Sequence, residues 1–366
     1  MSVSLEQVSA VGSVTATVLP SHRPLPARVA GMFAAAAPGL LLAFAAATGA
    51  SLLAPLVQRV TPIPTIVLAL ILGIMLHPIA TRPVFQPGLA VAVKHLLRWA
   101  VALLGLRVAL GQIAGLGLRT AGLVICAMAL TIVSGFALAR CLRQHAPYGA
   151  LAGAASAVCG ASAALATAAV LPAYPGKDRD TVFVVVAVNA LSTIAMLVYP
   201  ALCAWLGFDA QTTGIMLGAT IHDVPQVVGA GYAVGEIAGN TAVVVKLFRV
   251  FLLLPAVLCI GLWCSGRGRG AGTPSVPVPV FAFVFLALCI LHSAISALPH
   301  PIPVYEQARA WLIEASTWGL LVAIAALGLG TSLSAFVLLG WRQIATVVGT
   351  TLVILVAVTG GLLLLR

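Results

Sequence analysis

Long apolar runs recur along almost the whole chain. A helix needs about 20 consecutive, mostly apolar residues to cross the hydrocarbon core of a bilayer. The chain contains eleven runs of this kind, of which the seventh is the most polar and is predicted to be broken or re-entrant. They cover residues 31–54, 62–80, 88–112, 119–140, 147–171, 181–206, 211–234, 240–264, 278–298, 307–333 and 343–365. The pattern predicts an all-α membrane protein with about eleven transmembrane helices.

Charged side chains are too few to solvate a soluble fold of this length. The 366 residues include 19 Lys and Arg and 8 Asp and Glu, so that 7% of the chain is charged. Soluble domains carry about 25%. This excludes a soluble enzyme, a disordered chain and a disulfide scaffold, and the continuous apolar runs do not fit the alternating pattern of a membrane β-barrel.

Basic residues in the loops predict the orientation of the chain. Residues 1–28 form a polar tail, and residues 29–366 are expected to form a single transmembrane domain. If the tail is cytoplasmic, the inner side holds Arg23, Arg28, Arg82, Arg140, Arg143, Arg267, Arg269 and Arg342, and the outer side holds Arg59, Arg119, Lys177, Arg179 and Arg366. Eight against five favours a cytoplasmic N-terminus and a periplasmic C-terminus. Although the net charge is +11, no basic run is present, so no nucleic-acid partner is expected.

Two segments of the chain resemble each other. Leu103–Arg119 and Ala326–Arg342 share seven of 17 positions. They are seven predicted spans apart, and an odd separation reverses the orientation of one copy if every intervening segment crosses once. This is the arrangement of an inverted repeat, which is typical of secondary transporters.

Four basic residues form two pairs within predicted spans. Lys94 and Arg98 are four residues apart and Lys246 and Arg249 three apart, so each pair shares a helix face. Lys94 is near enough to a helix end to reach the headgroups. The other pair lies far from either end of its span. Since a charge in the membrane is costly, we expect the pairs to face a protein interior or cavity and to offset the charge of a bound small anion.

The fifth span is rich in small residues. Ser156, Cys159, Gly160 and Ser162 lie within two turns. This pattern is common where helices pack closely. It also fits a discontinuous helix, unwound at Cys159-Gly160-Ala161, whose free N–H groups bind an anion together with the serine hydroxyls.

The seventh span contains His222, Asp223, Pro225 and Gln226. Proline disfavours helix at the preceding residue and removes a backbone donor. Ionisable residues inside a membrane commonly mark functional sites. We therefore expect His222 and Asp223 to couple H⁺ or Na⁺ movement to transport, with Gln226 in the substrate site. No metal site or other cofactor is predicted, and no GxSxG or HExxH motif points to an enzyme.

Four ordered segments resemble a bacterial inner-membrane family of sulfate exporters. They are GAASAVCGASAALA (153–166), STIAMLVYPAL (192–202), GATIHDVPQVVGAG (218–231) and KLFRVFLLLP (246–255). The third span (94–110) is similar too. The resemblance implies an inverted-repeat transporter fold, with discontinuous crossed helices and interleaved core and panel subdomains, in a protein that is commonly dimeric. Family members often have Glu at the position of Asp223.

Together, the residues and the resemblance predict a secondary transporter that is not an enzyme. Its expected substrate is a small anion such as sulfate or a related oxyanion, moved across the inner membrane by alternating access of an elevator type, with possible partners H⁺ or Na⁺ and a second copy of the chain. The alternatives are a proton- or sodium-coupled carrier of organic anions (sulfonates or carboxylates), and, in another class, an intramembrane enzyme or a non-transporting receptor.

Overall fold

A computed structural model describes residues 25–59, 64–108, 110–265, 280–298, 302–330 and 340–365. Within these ranges the chain is helical and contains no strand. In chain order the helices are α1 Leu25–Val57, α2 Thr65–Met75, α3 His77–Ala80, α4 Gln86–Leu106, α5 Leu110–Gly115, α6 Gly117–Cys141, α7 Ala146–Ala157, α8 Ala161–Val170, α9 Lys177–Trp205, α10 Ala210–Thr220, α11 Val224–Val234, α12 Glu236–Phe251, α13 Leu253–Ser265, α14 Val280–Ser296, α15 Pro303–Gly330 and α16 Trp341–Leu364.

Seven helical stretches in the described part of the chain are long and apolar enough to cross a membrane: α1, α4, α6, α9, α12 with α13, α15 and α16. The prediction of an all-helical membrane protein is therefore confirmed. The predicted spans 62–80 and 278–298 contain the shorter helices α2 and α14. The predicted spans 147–171 and 211–234 each consist of two half-helices.

The half-helices α7 and α8 fold back on each other and form hairpin 1 (residues 146–170). His145 precedes α7 and Tyr174 follows α8, yet their ring centroids are 6.0 Å apart. At 1.5 Å per residue, two collinear half-helices of 12 and 10 residues would separate these rings by more than about 30 Å. Hairpin 1 therefore enters and leaves the bundle on the same side. The prediction that residues 147–171 cross the bundle once is wrong.

The half-helices α10 and α11 form hairpin 2 (residues 210–234) in the same way. Gly214 of α10 and Gly231 of α11 both pack closely on the segment Ala238–Gly239 of α12. Two collinear half-helices would hold these glycines many residues apart along the bundle. The seventh apolar run is thus re-entrant, one of the two outcomes expected from its polar residues.

Helix α9 joins the two hairpins and runs from one side of the bundle to the other. Phe183, near its start, packs on Tyr148 of hairpin 1, with ring centroids 6.3 Å apart. Cys203, near its end, contacts Met216 of hairpin 2, with 3.1 Å between the sulfur atoms. The hairpins therefore enter from opposite sides, and their tips meet inside the bundle.

This topology changes where two basic residues lie. Lys177 and Arg179 follow hairpin 1 directly, so they lie on the same side as Arg140 and Arg143, which precede it. The prediction placed them on the opposite side because it treated residues 147–171 as a single crossing. We call the side that carries these four residues the N side, since α1, α2, α4 and α6 alternate in direction and α1 also begins there.

Helices α1, α2, α4 and α15 lie beside the hairpins and pack on one another through close glycine contacts. Gly39 of α1 lies directly against Gly88 of α4, and Gly73 of α2 against Gly328 of α15. Small residues allow helix backbones to approach closely where no hydrophobic effect drives association. On the other face, α6 and α16 run antiparallel beside hairpin 1, with Gly349 against Leu138 and Gly361 against Leu123.

Several predicted regions lie partly outside the described residues, and the loop residues Arg23, Arg267, Arg269 and Arg366 lie wholly outside them. Of the predicted tail, residues 1–24 are not described, and α1 begins at Leu25, inside the predicted boundary. Of the repeat segment Ala326–Arg342, residues 331–339 are not described. The described parts show that the two similar segments precede the antiparallel helices α6 and α16.

Cysteine labelling tests the hairpin topology. In a variant without the seven native cysteines, we introduce Cys at Arg143 and Ala173, which flank hairpin 1, and at Ala210 and Glu236, which bound hairpin 2; all four positions are exposed. A membrane-impermeant maleimide is expected to label the first pair from one side and the second pair from the other. Labelling that split either pair between the two sides would contradict the re-entrant fold.

Candidate functional site

Two short non-helical segments, one at each hairpin tip, form the centre of the site. Tip 1 is Val158–Gly160 and tip 2 is Ile221–Asp223. The two tips touch at Gly160 and Asp223, which are so close that a Cβ added to Gly160 would overlap the carboxyl group of Asp223. Gly160 has φ +55° and ψ −121°, a conformation that residues with a side chain rarely adopt. Glycine is required there both by the backbone conformation and by the contact.

Arg249 of α12 is fully buried and joins the two hairpins. Its guanidinium donates to Ser156 O and Ala157 O of hairpin 1 at 2.9–3.0 Å. It also donates to Gly218 O and Ile221 O of hairpin 2, both at 2.9 Å. The oxygens of Ser156, Ala157 and Gly218 belong to the last turns of α7 and α10, where carbonyls lack intrahelical donors and carry partial negative charge. The oxygen of Ile221 belongs to tip 2.

Lys246 lies one turn before Arg249 and is likewise fully buried. Its Nζ donates to Val158 O at 2.6 Å, to Ile221 O at 3.1 Å and to His222 O. All three oxygens belong to the tip segments. Lys246 and Arg249 thus offset the negative ends of the half-helices α7 and α10, and their hydrogen-bond partners are main-chain carbonyl groups.

This arrangement answers a question that the sequence raised about charge. We predicted that buried cations without acids would offset a bound anion. In the structure the hydrogen-bond partners of Lys246 and Arg249 are protein carbonyls, and their contribution to anion binding stays a prediction. Such partners cannot be read from the sequence, because every residue carries a carbonyl.

Asp223 caps the opposite hairpin and not its own helix. It occupies the N-cap position of α11 but makes no side-chain bond to that helix. Its carboxyl group lies against Gly160, next to the Ala161 N–H at the start of α8. Its Oδ2 is buried without a hydrogen-bond partner, while its own N–H donates to Ser192 Oγ at 3.1 Å. The start of α8 therefore already holds a negative group, whereas the start of α11 has no side-chain cap.

His222 and Ser156 face away from this contact, toward α16. His222 Nε2 lies 2.9 Å from Thr351 Oγ1, and Nδ1 lies 3.1 Å from Ser156 O. Ser156 Oγ lies 2.9 Å from Thr350 Oγ1. Both side chains are fully buried. They tie the hairpin tips to α16.

A cavity of about 450 Å³ lies between the tips and the flanking helices α4, α14 and α15. Its polar lining combines two basic residues of α4 with groups of the hairpins and α9: Lys94, Arg98, Cys159, Ser162, Asn189 and Asp223. The first residues of α8 and α11 also line it, through Ala161 and Val224. The cavity thus brings two cationic side chains opposite two helix N-termini, which are favourable positions for negative charge.

The α4 residues are presented by an irregular turn. Residues Ala92–Leu96, which include Lys94, form a π-helical turn within α4. Such turns occur frequently at functional sites. No sequence signal marks this one, since Ala92–Leu96 contains neither glycine nor proline.

The predicted site residues fall into two groups. Lys94, Arg98, Cys159, Ser162 and Asp223 line the cavity. The others lie behind it in the protein interior: Ser156, Gly160, His222, Gln226, Lys246 and Arg249. None of the described His, Cys, Asp and Glu residues cluster in threes as a metal site would need.

Two residues of α9 were missed by the sequence analysis. Asn189 lines the cavity and accepts, through Oδ1, a hydrogen bond of 3.1 Å from Gln226 Nε2. Ser192 accepts from the Asp223 N–H. They lie three residues apart within a long apolar span, a polar pair that could have drawn attention to α9.

Comparison with known proteins identifies the family. The family described as conserved hypothetical protein 698 matches residues 38–347. The UPF0324 membrane protein TauZ of Paracoccus pantotrophus is 40% identical over 305 residues, 82% of this chain and 88% of that protein.

Two further relatives bear the same family name. The UPF0324 membrane protein RB0971 of Rhizobium meliloti is 40% identical over 325 residues, 89% of this chain and 92% of that protein. The UPF0324 membrane protein CT0845 of Chlorobaculum tepidum is 37% identical over 302 residues, 81% of this chain and 82% of that protein. No solved structure matches the chain. The family-level resemblance in the sequence is thus confirmed, and the chain belongs to the UPF0324 family of membrane proteins.

Proposed function

We propose that the protein is a secondary transporter that carries a small anion, sulfate or a related oxyanion, across the bacterial inner membrane by alternating access. The observation that carries this proposal is the cavity, where Lys94 and Arg98 lie opposite the N-termini of α8 and α11. Cationic side chains and helix N-termini both bind oxyanions. A site built for a cation or a neutral solute would not combine cationic side chains with helix N-termini.

The topology supports transport by movement of one part of the bundle. Two hairpins whose tips meet from opposite sides resemble the discontinuous helices that hold substrates in secondary transporters. We propose that the hairpins with α6, α9, α12, α13 and α16 form the moving core, and that α1, α2, α4, α14 and α15 form the panel. Because α4 supplies Lys94 and Arg98, the site lies at the boundary between these parts, as an elevator movement requires. A homodimer held together through the panel would provide the fixed frame.

Inverted symmetry and orientation complete the proposal. The similar segments Leu103–Arg119 and Ala326–Arg342 precede two antiparallel helices, α6 and α16, as in an inverted repeat. With Lys177 and Arg179 on the N side, the excess of basic residues on that side is larger than the sequence predicted, which favours a cytoplasmic N side. The C-terminus would then be periplasmic.

A carrier of organic anions is the second candidate. Most of the cavity lining is apolar, with Leu97, Val250 and Phe281 among the residues that face it. A sulfate ion has no apolar surface to contact these side chains, whereas an alkyl sulfonate or carboxylate does. The same charged groups would bind either head group.

Flux measurements distinguish these functions. Purified protein in liposomes is given labelled sulfate, then a panel of sulfonates and carboxylates, with and without proton or sodium gradients. Saturable flux of at least one anion is expected. If binding without flux or chemical conversion of a bound compound were observed, a receptor or an enzyme would replace the carrier.

Neutral substitutions on α4 test the site itself. Lys94→Met and Arg98→Met are each expected to weaken anion binding roughly 10- to 100-fold, because a charge-assisted contact is lost. Both residues are exposed to the cavity, so the thermal stability of the protein should change little. Arg119→Gln, which removes an exposed charge outside the cavity, is the control. Unchanged affinity in both α4 variants would remove α4 from the site.

A further inference from the structure

The carboxyl group of Asp223 occupies a position suited to an anion. It lies against Gly160, where any Cβ would overlap it, and next to the first N–H of α8. Asp223 is also one of the residues that line the cavity, together with Lys94 and Arg98. Asp223 therefore binds the α8 N-terminus as an anion from outside the protein would.

Resting on the proposed function, we propose that the substrate anion and the ionised Asp223 carboxylate compete for the N-terminus of α8, so that the anion binds together with one proton that neutralises Asp223. The proton comes from solvent and forms an O–H bond on the carboxylate, and no other bond changes. The protonated group is a hydrogen-bond donor. It can then donate to the anion that its ionised form would repel.

The surroundings identify Asp223 as the group that takes up the proton. Its Oδ2 is buried and accepts no hydrogen bond, so a lone pair is available. The neighbouring ionisable groups are Lys246 and Arg249 of α12, His222 of the same tip, Cys159 of tip 1, and Lys94 and Arg98 across the cavity.

These neighbours are poorly placed to take the proton themselves. Lys246 and Arg249 donate to tip and half-helix carbonyls. Both ring nitrogens of His222 have partners, Ser156 O of α7 and Thr351 Oγ1 of α16. On α9, the nearest polar groups are the neutral Ser192 and Asn189. Proton uptake at Asp223 would leave all these contacts unchanged.

The inference predicts a coupling that does not depend on a separate ion site. An anion entering with the carboxylate still ionised would add charge of the same sign beside it, in a region of low dielectric. Entry with a proton removes that repulsion and releases the α8 N–H groups. Each transport step would thus move the anion and a proton in the same direction.

Calorimetry of anion binding tests the inference on the full-length wild-type protein. Sulfate and ethanesulfonate, both fully ionised at pH 8, are titrated into detergent-solubilised protein in buffers of different ionisation enthalpy. The dependence of the observed heat on the buffer gives the number of protons taken up, for which we expect about one per anion. Affinity is also expected to fall about tenfold per pH unit at alkaline pH.

Substitutions assign the proton to Asp223. Asp223→Asn is expected to bind the anion without proton uptake and with a flat pH dependence. Asp178→Asn, which changes an exposed acid at the start of α9, should behave like the wild type. If Asp223→Asn does not fold, the wild-type measurements still decide whether protons are taken up.

Each outcome bears on a different proposal. Anion binding without proton uptake in the wild type would overturn the competition at Asp223 but leave the carrier intact. Undiminished uptake in Asp223→Asn would also overturn it. A failure to bind any tested anion at any pH would instead contradict the proposed function.

Discussion

Arg249→Met is expected to prevent stable folding. Ala157 and Gly218 would each lose the side-chain donor of a buried carbonyl oxygen, and Ser156 O would keep only His222 Nδ1. An unsatisfied buried polar group costs about 1–3 kcal/mol, so the total amounts to several kcal/mol, a large part of the stability of an ordinary domain. The measurements are the yield of monodisperse protein in detergent and its thermal unfolding temperature.

Comparison with α4 makes this prediction specific. Arg98→Met removes an identical side chain that faces the cavity, and it should leave the unfolding temperature nearly unchanged while weakening anion binding. Arg249→Lys should give an intermediate result, since an ammonium group has three donors and cannot serve all four carbonyl oxygens that the planar guanidinium contacts. A fully stable Arg249→Met protein that had lost only anion binding would return Arg249 to the substrate site, where the sequence placed it.

Gly160→Ala is expected to separate the two hairpin tips. The new Cβ would overlap the Asp223 carboxyl group, and a residue with a side chain in such a backbone conformation costs about 1–3 kcal/mol. We expect both a lower unfolding temperature and loss of anion binding, because the displaced tip would move the start of α8 away from the rest of the cavity lining. Thermal unfolding and equilibrium binding of sulfate measure the two effects.

Gly176→Ala is the matched control for this variant. Gly176 also has a positive φ, +87°, but a Cβ there would meet no atom within 4 Å. Its substitution should lower the stability only through the unfavourable backbone conformation, and it should leave anion binding intact. Asp223→Ala should restore part of the stability of Gly160→Ala when the two are combined, since it removes the overlapping group. Simple additivity of the two substitutions would contradict the contact.

The positions of the helix breaks could be read from the sequence with good accuracy. The prediction placed one break at Cys159-Gly160-Ala161, and the structure has it at Val158–Gly160. Pro225 predicted a break near Val224, and the non-helical residues end at Asp223. These signals are local: glycine permits unusual dihedral angles, and proline restricts the residue before it.

The partners of the buried cations could not be read in the same way. Lys94 with Arg98, and Lys246 with Arg249, are similar patterns in the sequence, yet the first pair faces a cavity and the second binds the carbonyls of both hairpins. The difference depends on which helix ends lie beside each pair. Those ends are separated from the cations by as many as 93 residues.

The sequence by itself determined that this is a helical membrane protein, where its apolar segments lie and where two of them break. Apolarity and backbone preference are properties of individual residues and their immediate neighbours, so they can be recognised without knowledge of the tertiary structure. Only the tertiary structure decided that the half-helices turn back at the breaks, that hairpins from opposite sides meet at Gly160 and Asp223, and that Lys246 and Arg249 hold them there. A break permits either a crossing or a hairpin, and contacts between distant segments select one of them.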